Sequence, residues 1–77
     1  MKTLNEQIGE RLREARVSAG FTLREVSDIV GKNHSTISTY ETGTRAINVD
    51  FMEYLCKVYG VNYLDILNEI YYLNKNK

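Results

Sequence analysis

The sequence predicts an all-α fold of five short helices. Three observations support this prediction: apolar residues recur at intervals of three and four, no segment alternates as a strand does, and glycines follow four of the helical patterns. These are Gly20, Gly31, Gly43 and Gly60, which stand where a left-handed residue often ends a helix. Proline, which would break such patterns, does not occur.

The first two helices each begin at a capping box, in which a threonine and a glutamate satisfy each other's backbone N–H groups. Thr3 and Glu6 form the first box, and Thr22 and Glu25 form the second. Gly9 lies inside the first helix and lowers its helix propensity. The residues expected to face inward are Ile8, Leu12, Ala15 and Ala19 in the first helix, and Val26, Ile29 and Val30 in the second.

Each of the other three helices begins at an asparagine, a favoured N-cap residue. Asn33 begins the third helix, which runs to about Thr42, and Asn48 and Asn62 begin the fourth and fifth. The residues expected to face inward are Ile37 and Tyr40 in the third helix, Val49, Met52, Leu55, Cys56 and Tyr59 in the fourth, and Leu64, Leu67, Ile70 and Tyr71 in the fifth.

Composition excludes several classes of protein. We expect one domain over residues 1–77, with a small core. A single cysteine, Cys56, cannot form a disulfide framework and fits a reducing cytoplasm. The chain also has only one histidine, His34, and its spacing from Cys56 is not that of a metal site. No signal peptide or apolar run of about eighteen residues occurs. We therefore expect a cytoplasmic protein without membrane association, cofactor or metal, and not an enzyme, because a core this small leaves little room for convergent catalytic groups.

The formal net charge of zero counts against a strong nonspecific binder of polyanions. The charges are nevertheless unevenly distributed, since acidic residues dominate between Asp50 and Glu69. Basic residues upstream are Arg13, Arg16, Arg24, Lys32 and Arg45. A neutral protein with this distribution can present one mildly basic face.

The second and third helices are joined only by the short glycine-containing turn VGK before Asn33. Two short helices joined by such a turn are typical of the helix-turn-helix motif, here residues 22–42. The turn alone is a weak signal, because many helical bundles contain similar connections.

The surrounding residues make the signal specific. The stretch GFTLREVSDIVGKNHSTISTYETGTR resembles the helix-turn-helix of the lambdoid phage repressor and Cro family, also called the xenobiotic-response-element type. The matching residues are Gly20, Phe21, Thr22, Glu25, Val26, Ser27, Gly31, Ser35, Ile37, Ser38, Glu41, Gly43 and Arg45. The resemblance covers roughly residues 8–67 and implies a five-helix, lambda-repressor-like DNA-binding domain.

The third helix carries short polar side chains on the face opposite its apolar stripe. An α-helix fits the major groove, where each base pair shows a distinct pattern of donors and acceptors. The residues expected to read bases, by their match to the family and by their position, are His34, Ser35, Ser38 and Thr39. A solvated polar face is the alternative interpretation.

Phosphate contacts are expected around this helix, because helix N-termini and basic side chains attract phosphate. The residues expected to make them are Thr22, Leu23, Arg24, Lys32, Asn33, Thr42, Thr44 and Arg45. Many family members have glutamine where this chain has Leu23, so contact there is expected through the backbone N–H alone. For each basic residue, a solvated surface charge is the alternative.

The resemblance also implies a structural ion pair between Arg16 and Glu41. In several family members an arginine late in the first helix pairs with a glutamate that ends the recognition helix, and both positions are filled here. A bidentate pair would set the angle between the two helices. We interpret Glu41 as structural because DNA would repel an exposed carboxylate.

Apolar residues in the last two helices exceed what one small core can use. A dimer interface is therefore expected at Phe51, Tyr54, Val58, Tyr63, Ile66, Ile70 and Tyr71. It would involve the C-terminal helix, residues 62–73, followed by a frayed tail at 74–77. The alternative is that Tyr71 and Tyr72 cover the bottom of the core.

Together these features predict a sequence-specific regulator of transcription that binds double-stranded DNA. The expected form is a homodimeric repressor on a palindromic operator. The alternative is a protein-interaction module, or an antitoxin-type protein, that binds a regulatory protein partner and binds DNA only secondarily.

Overall fold

The computed structural model describes residues 1–75, and within them it contains five α-helices and no strand. They are α1 (Leu4–Ser18), α2 (Leu23–Val30), α3 (His34–Thr42), α4 (Val49–Tyr59) and α5 (Tyr63–Lys75). The predicted all-α class is confirmed. The frayed tail expected from residue 74 is wrong for Asn74 and Lys75, which continue α5. The rest of that predicted tail, residues 76–77, lies outside the described part of the chain.

The helix starts follow local side-chain chemistry. The Thr3 hydroxyl accepts from the Glu6 N–H at 3.1 Å, and Glu6 Oε1 accepts from the Thr3 N–H at 2.8 Å. Thr22 and Glu25 repeat this box at 3.1 and 2.9 Å. Both predicted capping boxes are therefore confirmed. The asparagine side chains that accept a backbone N–H at the other helix starts are those of Asn33, Asn48 and Asn62.

The glycine inside α1 has a packing role. A Cβ atom at Gly9 would lie 2.4 Å from the backbone oxygen of Glu41 and 2.5 Å from that of Tyr40. At Gly43, a Cβ atom would lie 2.6 Å from the Cα atom of Glu6. Both positions require glycine because the backbones of α1 and the end of α3 approach too closely for a side chain.

The core consists of two clusters that share α4. The first cluster joins α1, α4 and α5 through Ile8, Leu12, Met52, Cys56, Ile66 and Ile70. The second joins α2, α3 and α4 through Val26, Ile37, Leu55 and Tyr59. The partly buried side chain of Ile47 packs against both. The helix-turn-helix pair therefore rests on its own apolar cluster, and both α1 and α4 connect it to the rest of the molecule.

Several residues expected to face inward lie on the surface. They are Ala19, Ile29, Val49, Leu64 and Tyr71. In α5 the difference is one of helix rotation, because Ile66 and Ile70 enter the core and turn Leu64 outward. Two apolar stripes run along α5, and contact with α1 and α4 selects the one that contains the isoleucines.

Candidate nucleic-acid interface

The turn between α2 and α3 is held by backbone and side-chain hydrogen bonds. Gly31 ends α2 at a φ of +73° and donates its N–H to the carbonyl of Ser27 at 2.9 Å. The Ser27 hydroxyl donates to the carbonyl of Lys32 at 2.5 Å. These bonds span the whole turn, so the start of α3 is fixed relative to the end of α2.

The orientation of α3 against α1 is held by a buried ion pair. Arg16 Nε donates to Glu41 Oε2 at 2.7 Å, and its Nη2 donates to Glu41 Oε1 at 3.1 Å. Its Nη1 donates to the carbonyl of Phe21 at 2.8 Å. Both charged residues are only 8% exposed, and the hydrogen bond to Glu41 raises the pKa of Arg16. One guanidinium thus ties together α1, the α1–α2 turn and the end of α3.

The face of α3 opposite Ile37 carries the hydroxyl groups. At about 100° per residue, Ser35, Thr39 and Thr42 form a stripe opposite the buried Ile37. Ser35 and Thr42 are exposed, and Thr39 is half-buried. Of the other expected base-reading residues, His34 is exposed at the start of the helix and Ser38 is half-buried beside the stripe. All four expected base-reading residues are therefore accessible on one helix.

Most of these hydroxyl groups already donate a hydrogen bond within the protein. The Ser35 hydroxyl donates to Asn33 Oδ1 at 2.8 Å, and the Thr39 hydroxyl donates to the carbonyl of Thr36 at 2.6 Å. The Thr42 hydroxyl donates to the carbonyl of Thr39 at 3.2 Å and lies 2.9 Å from the hydroxyl of Thr44. These side chains are therefore held in defined orientations, and their oxygen lone pairs remain available.

Free backbone donors lie at the start of α2. The Glu25 N–H donates to the Thr22 hydroxyl and the Val26 N–H donates to the Thr22 carbonyl. The N–H groups of Leu23 and Arg24 precede these donors and have no partner in residues 1–75. The side chain of Leu23 packs against the second core cluster. Leu23 can therefore contact a phosphate only through its backbone N–H, as expected for a residue that stands where many family members have glutamine.

The electrostatics of this face favour an anion. Between Gly31 and Ile47 the chain contains a single carboxylate, Glu41, and Arg16 neutralises it in the interior. The basic side chains of Lys32 and Arg45 are exposed there. Neither forms an ion pair with any residue in the described part of the chain. The surface around α3 is therefore mildly basic although the whole chain is neutral.

An aromatic cluster lies beside this basic surface, and sequence reasoning did not assign it to the site. The Lys32 Nζ atom lies 5.4 Å from the centroid of the Phe51 ring. The Phe51 ring in turn lies 5.6 Å from that of Tyr40 and 6.3 Å from that of Tyr54. The signal available in the sequence is the spacing of Phe51 and Tyr54 on α4, which is equally compatible with the predicted dimer interface.

Two of the seven residues expected at the dimer interface are buried in the core. Ile66 and Ile70 are only 7% and 2% exposed and belong to the first core cluster. The partly buried side chains of Phe51, Val58 and Tyr63 pack against the core. Tyr54 and Tyr71 alone remain exposed, at 45% and 61%. The prediction is therefore wrong for Ile66 and Ile70, because α5 presents its isoleucine stripe to α1 and α4. For the other five residues it stays a prediction.

Other kinds of site find no support in residues 1–75. No group of three or more histidine, cysteine or acidic residues there could hold a metal ion. Burial raises the pKa of the Cys56 thiol to about 11, which keeps it neutral. No helix in the same range has the length and apolar character needed to cross a membrane.

Comparison with known proteins identifies the family. A family model described as a helix-turn-helix domain matches residues 7–65. The clp gene regulator ClgR from C. glutamicum superposes with a TM-score of 0.82 and 28% identity, over 88% of this chain and 87% of that one. The BldD DNA-binding domain from S. venezulae superposes with a TM-score of 0.72 and 28% identity, over 80% of this chain and 93% of that domain. The chain belongs to the helix-turn-helix family of DNA-binding transcriptional regulators.

Two longer relatives share the domain. The transcriptional regulator PuuR of Escherichia coli is 33% identical over 79% of this chain, and the antitoxin PezA of Streptococcus pneumoniae is 31% identical over 87% of it. The chain spans only 33% and 42% of the lengths of these two relatives.

Proposed function

We propose that this chain is a sequence-specific repressor that binds double-stranded DNA by placing α3 in the major groove. The observation that carries the proposal is the hydroxyl-bearing stripe on α3, which faces away from Ile37 and is held at a defined angle by Arg16 and Glu41. A solvated polar face would not require such a brace. Repression would follow from occlusion of a promoter in the cytoplasm.

Base reading is assigned to the exposed and half-buried polar residues of α3. They are His34, Ser35, Ser38 and Thr39. Short side chains let the helix approach the base edges closely, and hydroxyl groups can donate to or accept from a base. A threonine methyl group can also contact the methyl group of thymine.

Phosphate contacts would flank α3 on both sides. The residues assigned to them are Thr22, Leu23, Arg24, Lys32, Asn33, Thr42, Thr44 and Arg45. The free N–H groups at the start of α2 and the exposed Lys32 and Arg45 support this assignment. Thr42 and Thr44 would exchange their mutual hydrogen bond for one to phosphate.

A homodimer on a palindromic operator completes the proposal. Exposed apolar residues on α5 that the core does not use are Leu64, Tyr71, Tyr72 and Leu73. We assign these residues to the proposed interface instead of Ile66 and Ile70, which are buried in the core. A symmetric pair would place two recognition helices about 34 Å apart, one turn of DNA. It would double the number of phosphate contacts, which a protein without net charge needs.

A second candidate function is supported by one of the relatives. The similarity to an antitoxin extends over 87% of this chain. In this alternative the exposed apolar residues of α5 bind a different protein, and DNA binding is secondary. A partner of another kind would occupy the same surface that a second copy occupies in the dimer.

Selection from a random pool of DNA duplexes at roughly physiological salt, followed by sequencing, tests both candidates. An enriched palindrome with half-sites about 10 base pairs apart supports the dimeric reader. A single short half-site retains the reader and rejects the dimer. Failure to enrich any sequence rejects base reading and favours the partner-binding alternative.

Matched variants make this selection specific to α3. Ser35→Glu places a carboxylate on the proposed contact face, where DNA would repel it, and enrichment is expected to disappear. Val17→Glu adds the same charge to the exposed surface of α1, at a residue assigned neither to DNA contact nor to the dimer, and is expected to leave the enriched sequence unchanged. Circular dichroism of both variants confirms that the helices remain folded.

A further inference from the structure

We infer that Ser35 and Thr39 read bases that donate hydrogen bonds, namely the exocyclic amino groups of adenine or cytosine. This inference rests on the proposed function and adds to it the chemical class of the contacted base atom at two positions. A hydroxyl group has one donor and two acceptor lone pairs. At both residues the donor is already used inside the protein.

The direction of each hydrogen bond follows from its partners. The N–H of Ser35 donates to Asn33 Oδ1 at 2.9 Å, which identifies that atom as the amide oxygen. The Ser35 hydroxyl, 2.8 Å from the same oxygen, must therefore donate to it. The partner of the Thr39 hydroxyl is the carbonyl of Thr36 at 2.6 Å, which can only accept. Each hydroxyl consequently offers an acceptor to a molecule outside.

The bases complementary to such acceptors are limited. In the major groove, adenine N6 and cytosine N4 are donors, whereas guanine N7 and O6 and thymine O4 are acceptors. To bind an acceptor, Ser35 or Thr39 would have to give up its internal bond, a loss of about 2- to 12-fold in affinity. Donor bases require no such exchange.

The spacing of the two residues predicts the spacing of the two bases. Ser35 and Thr39 are one helical turn apart on the same stripe, so they lie about 6 Å apart along the axis of α3. That distance is close to two base steps of about 3.4 Å along one strand. The two contacted amino groups should therefore lie on base pairs that are one or two steps apart in each half-site.

Ser38 supplies an internal contrast. Its hydroxyl makes no hydrogen bond to another residue of the described chain, so it can rotate to donate or to accept. A contact made by Ser38 is therefore not restricted to an amino group. The difference between Ser38 and its neighbours separates the effect of internal bonding from a general effect of hydroxyl groups on this helix.

The test begins with selection from random duplexes for the full chain and for Ser35→Ala and Thr39→Val. The position at which base preference relaxes in each variant identifies the base that the residue reads. Because every base pair contains either adenine or cytosine, the selection locates the contacted base pair, and the analogue experiment below decides whether its amino group is the contacted atom. No relaxation in either variant overturns the inference while the enriched sequence still supports the proposed function.

A base analogue then tests the contact itself. At the identified position, a base without its exocyclic amino group is expected to weaken binding by the unchanged protein about 2- to 12-fold. The same analogue should have no further effect on the variant that lacks the hydroxyl, nor on either protein when placed outside the half-sites. Equal losses in protein and variant overturn the inference. No enriched sequence at all overturns the proposed function as well.

Discussion

Arg16 connects α1, the α1–α2 turn and the end of α3. It donates to both oxygens of one carboxylate and to a backbone carbonyl. A buried ion pair need not add net stability, because both charges lose their hydration. Its contribution here is geometric, since two parallel hydrogen bonds allow only one arrangement of the two helices.

Removal of one member of this pair is expected to be more damaging than removal of both. Glu41→Leu leaves a buried guanidinium without its carboxylate and should lower the free energy of unfolding by about 3–5 kcal/mol. Arg16→Met combined with Glu41→Leu should recover most of that loss. Urea denaturation of the original chain, both single variants and the double variant measures the effect. A double variant no more stable than Glu41→Leu contradicts it.

Gly9→Ala is expected to destabilise the protein although alanine is the better helix former. The helix propensity gained is about 1 kcal/mol. The new Cβ atom would lie 2.4 Å from the backbone oxygen of Glu41 and would force α1 and α3 apart. We expect a net loss of about 1–3 kcal/mol. Thermal unfolding measures it, with the exposed Arg13→Ala on the same helix as the control; higher stability in Gly9→Ala would refute the close approach.

At the scale of the element, helix boundaries follow from local chemistry. Capping boxes, asparagine caps and glycine stops act over four or five residues, so the sequence predicts them without knowledge of the fold. Which face of a helix is buried depends on its neighbours. Ile29 and Leu64 fit the apolar periodicity of their helices and are nevertheless exposed, because the neighbouring helices cover a different stripe.

The two capping boxes should make stability dependent on pH. Hydrogen bonds from the backbone and hydroxyl of Thr3 lower the pKa of Glu6, and those of Thr22 lower the pKa of Glu25. A carboxylate with a lowered pKa stabilises the fold above its unfolded pKa, about 4.5, and this contribution is lost as pH falls through the folded value. Urea denaturation at a series of pH values should show this decline, and Glu6→Gln with Glu25→Gln should flatten it. An unchanged decline would place its origin in other groups.

The contact between α4 and the turn before α3 predicts a coupling in DNA binding. Phe51→Leu keeps an apolar side chain and removes the ring over which Lys32 lies. The variant should therefore lose the cation–π contact between the Phe51 ring and the Lys32 ammonium, which is worth about 0.5–1 kcal/mol. We expect Lys32→Ala to weaken DNA binding less in the Phe51→Leu background than in the original chain. Fluorescence anisotropy measures the cycle, and Arg45→Ala, which should be additive with Phe51→Leu, is the control.

At the scale of the whole molecule, the net charge is zero although basic and acidic residues are unevenly distributed along the chain. The surface around α3 combines exposed Lys32 and Arg45 with a single carboxylate that Arg16 neutralises. The acidic residues of α4 and α5 offset these basic charges in the net charge of the chain. Weak overall attraction and a local basic face fit a protein that gains affinity from base contacts rather than from charge alone.

The salt dependence of DNA binding should show whether the basic surface around α3 contacts phosphate. Arg45→Ala is expected to weaken binding to all DNA sequences to a similar degree and to reduce the slope of log affinity against log salt by about one for each subunit bound. Ser38→Ala, which removes no charge, should leave the slope unchanged. Titrations at several salt concentrations measure both. An unchanged slope in Arg45→Ala would exclude a phosphate contact at that residue.

The sequence by itself determined the five helices, their caps and the family, because these depend on residues close together in the chain or on a motif pattern. It also indicated Arg16 and Glu41, through a resemblance rather than through spacing. Only the tertiary structure decided which stripe of α5 is buried, why Gly9 must be glycine and where Lys32 lies. Each of these depends on the approach of segments that are distant in sequence, and helical periodicity contains no information about what a given face will meet.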